Sequence, residues 1–317
     1  MKTVAVSGCL GFIGRYVTEK LLARGDIVYG IDAMTQVAEP SLLDRWAGYL
    51  STQQLKFVPR DINDLGTFPD IQAVINLAAE THVDNSLTDN GRFVHSNVNG
   101  VQHLLEMCRG MRYYELPLFL QVSTDEVYGS IATGETCEDA PLRPSSPYSA
   151  SKAAADLLIM GWGHTYHLPW RIVRPSNCYG VGQYPEKLIP KAVRMLMQER
   201  MIPIHEGGKA RRYWLNVEDC ADAILAVLDH GTNSQIYNIG GNQEASVQEV
   251  ASAIVSAFHG PDADPSRYLD FGYTRLGLDS RYHVNDAKLR SLGWEPKGNL
   301  AQDIPVLVEQ ERATLRW

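Results

Sequence analysis

Short apolar runs alternate with amphipathic stretches over the first two thirds of the chain. The runs 3–7, 27–31, 54–58, 73–77, 118–122 and 171–174 are too short for helices and read as strands. Between them, apolar positions spaced three and four apart predict helices over 14–24, 93–110 and 148–164. Strand and helix in alternation imply an α/β fold with a parallel sheet covered on both faces, a Rossmann-type doubly wound layout. Between Asp61 and Asn76 the connection Asp64-Leu-Gly-Thr-Phe-Pro-Asp70 contains Gly66 and Pro69, which leaves no room for a full crossover helix. One covering helix is therefore expected to be reduced to a turn.

Beyond residue 176 the pattern changes. Helices over 188–198, 218–229 and 246–258 are mixed with short strands and Pro/Gly turns, which predicts a smaller α/β substrate lobe. The division expected is 1–175 for a dinucleotide-binding domain and 176–317 for the second lobe, with some chain exchanged between them. Ser246 with Glu249 ahead of an apolar helix is a capping-box pattern and is read as structural.

Composition adds exclusions. With 29 Lys+Arg against 37 Asp+Glu the formal charge is −8, so no general attraction to nucleic acid or an anionic membrane surface is expected. No stretch approaches the roughly 20 apolar residues of a membrane span, and the start of the chain enters a strand without the apolar core of a signal peptide. The 5 cysteines are scattered without metal-ligand spacing, so no metal site is expected and a reducing, cytoplasmic location fits best.

Candidate chemistry begins at the first strand–helix junction. Gly8, Gly11 and Gly14, with Phe12 and Ile13 between them, open the first helix, where glycines permit a tight turn and bring N–H groups against a pyrophosphate. Asp32 ends the second strand 18 residues after Gly14, where a carboxylate accepts ribose hydroxyls and repels a 2′-phosphate. NAD is thus favoured over NADP. Asp61 and Ile62 follow the third strand, near the expected adenine, and Leu77, Ala78 and Ala79 follow the fourth, offering small residues for close approach.

The fifth strand ends in Ser123, Thr124, Asp125 and Glu126, and Tyr148 and Lys152 stand four apart on one helix face. An ammonium beside a phenol favours the phenolate and makes tyrosine a usable base. Two neighbouring carboxyls can be pushed to different pKa values, giving an acid and a base in one pocket. Redox chemistry combined with loss of water is therefore expected.

Together these motifs, with residues 78–84, 145–152 and 184–190 in the expected order, resemble the extended short-chain dehydrogenases/reductases and most closely the dTDP-glucose 4,6-dehydratases. The resemblance implies oxidation of a nucleotide-diphosphate hexose at C4, elimination of water across C5 and C6, and return of the hydride to C6. It implies Tyr148 as the base at C4, Thr124 as hydrogen-bond donor there, Glu126 as the C5 base, Asp125 as the acid at C6, and Lys152 on the nicotinamide ribose. It places His82, Asn177, Glu186, Lys187, Leu188, His205, Arg212 and Arg275 toward the nucleotide sugar, and it implies a homodimer. Departures cluster in the second lobe, at Tyr213, His205 and Leu278. They leave open UDP- or CDP-sugars, while the shared scaffold leaves open a 4-epimerase, a UDP-glucuronate decarboxylase or a non-catalytic NAD-binding regulator.

Overall fold

The computed structural model describes residues 1–111, 116–274 and 277–314 of the chain. Its strands are β1 (Thr3–Ser7), β2 (Ile27–Asp32), β3 (Leu55–Pro59), β4 (Ala73–Asn76), β5 (Leu118–Val122) and β6 (Trp170–Pro175). They are followed by β7 (Asn177–Tyr179), β8 (Ile202–His205), β9 (Arg211–Asn216), β10 (Gln235–Ile239), β11 (Gln243–Ser246) and β12 (Leu269–Tyr273).

Seven strands form one sheet in the order β3-β2-β1-β4-β5-β6-β10, all parallel. The central strands read as unbroken apolar runs because both faces are buried. In β1, Val4 and Val6 join the layer packed by helices Phe12–Ala23 and Val217–His230, while Ala5 joins the layer packed by Gly100–Gly110 and Pro147–Tyr166. The order reverses at β1 and β4, which opens a crevice at the strands' carboxyl ends.

The β3–β4 connection carries a single 3₁₀ turn, Ile62–Asp64, as Gly66 and Pro69 require. The seventh strand is drawn from beyond residue 176 and lies parallel to β6. The smaller lobe holds the sheet β11-β9-β7 and the pair β12-β8, with a core of Ile204 and Trp214 against helices Leu188–Met197, Val247–His259 and Leu300–Thr314.

The helix that carries Tyr148 and Lys152 starts at Pro147, and Ser146 and Ser149 satisfy each other's backbone donors in a capping box. The pattern at Ser246 and Glu249 forms the same device. The single helix expected over 93–110 is instead interrupted by a π-helical turn, His95–Asn99, between helices Asn90–Val94 and Gly100–Gly110. The cause is Asn97, whose amide accepts from Glu80 N–H at 2.8 Å and donates to Glu80 O and Ser151 Oγ, each at 2.9 Å. Such a wide turn re-aims side chains without ending the helix. Among the described residues no helix is long and apolar enough to cross a membrane.

Candidate active site

The crevice divides into two contiguous clefts. In the glycine turn, Gly8 has φ +69°, and a Cβ there would lie 2.8 Å from Ala78 N. A Cβ on Gly14 would lie 1.9 Å from Gly8 O, so only glycine lets the helix start pack so close to β1. Gly11 caps helix Phe12–Ala23 without a side-chain hydrogen bond, so the first N–H groups are presented to the cleft as an anion site.

The first cleft, about 540 Å³, is lined by Gly8, Gly11, Asp32, Asp61, Ile62, Leu77, Ala78 and Ala79. Asp32 Oδ2 accepts from Leu10 N–H at 3.0 Å and Oδ1 from Met34 N–H at 2.8 Å, which fixes the carboxylate at the end of β2. Burial raises its pKa. Asp61 caps the 3₁₀ turn by accepting from Asn63 N–H at 2.8 Å. These residues fit the adenosine half of a dinucleotide, and the glycine turn fits its diphosphate. Arg92, paired with Glu80 at 2.8 Å, lines the same cleft. Sequence reasoning passed over it because the π-helical turn that follows it gives no local signal.

The second cleft joins Phe12, Ile13 and Gly14 to Ser123, Thr124, Asp125, Glu126, Tyr148 and Lys152. Beyond β5 the chain turns through a short 3₁₀ helix, Asp125–Tyr128, started by Thr124 Oγ1 accepting from Glu126 N–H. Asp125 is buried, and its Oδ2 has no hydrogen-bond partner. Burial first, and then the charge of Glu126, push its pKa up to about 8. A carboxyl in that state is a proton donor at neutral pH.

Lys152 Nζ donates to Val122 O at 2.7 Å, and burial lowers its pKa to about 8. The expected lowering of the Tyr148 phenol is not found. Burial and the charge of Glu126 raise it, with the neighbouring Thr124 hydroxyl opposing them. The physical reason is that the Lys152 ammonium is turned to the Val122 carbonyl, so desolvation outweighs it.

The same cleft is also lined by Asn177, Glu186 and Lys187, together with Gln183 and Tyr184. Asn177 Oδ1 is buried without a partner, and Lys187 Nζ donates to Thr81 O at 3.3 Å. Among the described residues, the others expected at the sugar, His82, Leu188, His205 and Arg212, lie outside the linings of both clefts. His82 sits just behind, 3.7 Å from Glu186, and Leu188 starts its helix against the second core.

His205, at the end of β8, packs edge-on to Tyr273 and contacts Thr274 O at 3.4 Å. Arg212 is buried; its guanidinium donates to Arg211 O and Asp279 O, both at 2.8 Å, and lies over the Tyr282 ring. Its positive charge still reaches Asp125 and tends to lower that pKa. Arg275 lies outside the described residues. Thr81, Cys178, Gln183 and Tyr184 also line the cleft; Thr81 and Tyr184 lie within the motifs at 78–84 and 184–190 without a role of their own, and of the four only Thr81 is brought beside Lys187 by the fold.

The sequence profile described as GDP-mannose 4,6 dehydratase matches residues 5–305. The dTDP-glucose 4,6-dehydratase of Streptomyces griseus is 38% identical, over 98% of this chain and 94% of its own length. The low-salt glycan biosynthesis protein Agl12 of Haloferax volcanii is also 38% identical, over 96% and 97%. The crystal structure of DesIV, a dTDP-glucose 4,6-dehydratase from Streptomyces venezuelae with NAD bound, superposes with a TM-score of 0.91 at 34% identity, covering 98% of this chain and 97% of that one. With the glycine turn, Asp32, the Thr-Asp-Glu run and the Tyr/Lys helix on one crevice, the chain belongs to the GDP-mannose 4,6 dehydratase family of nucleotide-sugar enzymes.

Proposed function

We propose that the protein is an NAD-dependent nucleotide-sugar 4,6-dehydratase that converts dTDP-glucose to its 4-keto-6-deoxy derivative. The observation that carries this reading is Asp125: a carboxyl that burial keeps protonated to about pH 8, with one oxygen unpartnered, in the same cleft as Glu126 and Tyr148. Neither a 4-epimerase nor a decarboxylase needs an acid to expel the C6 hydroxyl.

The glycine turn would hold the NAD diphosphate and Asp32 the adenosine ribose. When bound, NAD supplies a hydride acceptor at C4 and the donor that returns the same hydride to C6. Tyr148, acting as its phenolate, takes the proton of the C4 hydroxyl, and Thr124 bonds the C4 oxygen. Lys152, one helical turn away and turned to the Val122 carbonyl, would hold the nicotinamide ribose. The 4-ketone acidifies the C5 hydrogen, which Glu126 removes. Asp125 gives its proton to the departing C6 hydroxyl, which leaves as water. Glu126 then returns a proton to C5. Asn177, Glu186 and Lys187 face the nucleotide sugar, Lys187 as a cation for its diphosphate.

The protein is further proposed to be a homodimer. Leu157, Met160 and Tyr166 leave large apolar side chains exposed on helix Pro147–Tyr166. Its 5 free thiols suit the reducing cytoplasm, where we place it.

The test is incubation of the purified protein and NAD with dTDP-, UDP-, CDP- and GDP-glucose, followed by mass spectrometry of the products. Loss of one water from dTDP-glucose, in preference to the others, is expected. No dehydrated product from any of the four would overturn the reading.

A further inference from the structure

We propose that Asp156 is a positioning residue for this reaction: with Arg174 it forms a buried ion pair behind Lys152 that keeps the lysine charged and held against β5. Asp156 follows Lys152 by four residues and so shares its helix face. Asp156 and Arg174 are 0% and 1% exposed, and Arg174 Nε and Nη2 each lie 3.0 Å from Asp156 Oδ2. A buried pair of this kind rarely stabilises a fold beyond what apolar residues of equal size achieve. Its place beside the lysine gives it another purpose.

The carboxylate is fixed from behind. Arg174 Nη1 donates to Tyr128 OH at 2.7 Å, and Tyr128 OH donates to Asn238 Oδ1 at 2.8 Å. Asn238 Nδ2 in turn donates to Thr136 O and Asn285 O, each at 3.1 Å, so the array is anchored to β10 and two loops. Lys152, itself 3% exposed, meets only a neutral carbonyl in its hydrogen bond to Val122.

Other ionisable groups lie around the helix. Tyr148 is on the same helix, and Asp125, Glu126 and Tyr128 lie on the 3₁₀ turn. On the outer helices, Glu106 binds Arg109 and Trp162, His103 contacts Leu65 O, His82 lies near Asp84 and Glu186, and Arg92 pairs with Glu80. Burial lowers the lysine's affinity for its proton, and Asp156 is the charge that offsets this.

The inference rests on the proposed function only in that Lys152 serves bound NAD. Exchange of bound NAD with labelled NAD, followed from neutral to alkaline pH in the holoenzyme, reads the lysine without any sugar. The wild type is expected to release NAD faster as pH rises through about 8. Asp156→Asn moves that acceleration about one pH unit or more downward, and Asp156→Glu leaves it in place.

If Asp156→Asn does not fold, the paired change Asp156→Asn with Arg174→Gln, which removes the buried cation as well, carries the test. It is expected to shift in the same direction but by less, because the guanidinium is lost together with the carboxylate that acts on the lysine. A melting temperature that falls while the pH position stays put would overturn the proposal, as would a wild type with no pH dependence of exchange in this range. The nucleotide-sugar panel fails or succeeds independently of this measurement.

Discussion

Thr124 Oγ1 accepts the backbone N–H of Glu126 at 3.2 Å, so a hydroxyl that lines the second cleft also starts the turn that carries both carboxyls. Its own proton points at Asp125 Oδ1 across a long 3.5 Å, a contact that a substrate oxygen in the cleft would replace. Thr124→Val is expected to lower kcat on the order of 10²–10³-fold, the usual loss for a donor to a developing oxyanion. Thr124→Ser keeps both bonds and should stay within about tenfold. Turnover of dTDP-glucose measures both, and a valine variant as active as the serine one would remove the hydroxyl from the mechanism.

Asp125→Asn should slow formation of the 6-deoxy product by about 10²–10⁴-fold while sparing C4 oxidation, seen as reduced cofactor accumulating in a single turnover. In the wild type, elimination should fall as pH rises through about 8, because the acid loses its proton there. The same shift has a stability sign. A folded pKa far above the roughly 3.9 of an unfolded aspartate means that the unfolded chain binds fewer protons between the two values, so stability falls as pH rises across that window. Asp125→Asn should therefore melt higher than wild type at pH 8 and no higher at acid pH; scanning calorimetry at the two pH values decides it.

Asp32 accepts two backbone N–H groups through both oxygens and still faces the first cleft. Asp32→Asn keeps an acceptor but loses the charge. NAD affinity should drop about 10- to 100-fold, and the preference over NADP should narrow, since a 2′-phosphate is no longer repelled. Titration calorimetry with the two dinucleotides reads this; an unchanged ratio would mean that Asp32 does not set cofactor choice.

Leu157 is 58% exposed on helix Pro147–Tyr166. Leu157→Glu places a charge in the proposed dimer interface and should yield the monomer mass by light scattering, with helicity unchanged. A wild-type protein of monomer mass at micromolar concentration would refute the dimer.

β1, β4 and β5 were legible because burial on both faces makes them nearly unbroken apolar runs, while the edge strand β3, half exposed, still showed through Leu55, Phe57 and Val58. β10 was not, since Gln-Ile-Tyr-Asn-Ile mixes polar and apolar residues and, as an edge strand, pairs with β6 alone. The π-helical break was hidden for another reason: helical residues continue through it, and its cause is a set of bonds from Asn97 to Glu80 and Ser151, distant in sequence. Motif residues contiguous in sequence were readily placed. Arg212 was expected at the diphosphate, but its partners Asp279 and Tyr282 lie on a segment that only the fold brings beside β9. His205 is drawn to Tyr273 in the same way.

The strand Gln235–Ile239 closes the main sheet only after the chain has passed through much of the smaller lobe. As the polypeptide leaves the ribosome, β6 therefore waits with a bare row of amide and carbonyl groups until that late segment emerges. A fragment cut near residue 175 keeps this edge of β6 bare and open to pairing with its own copies.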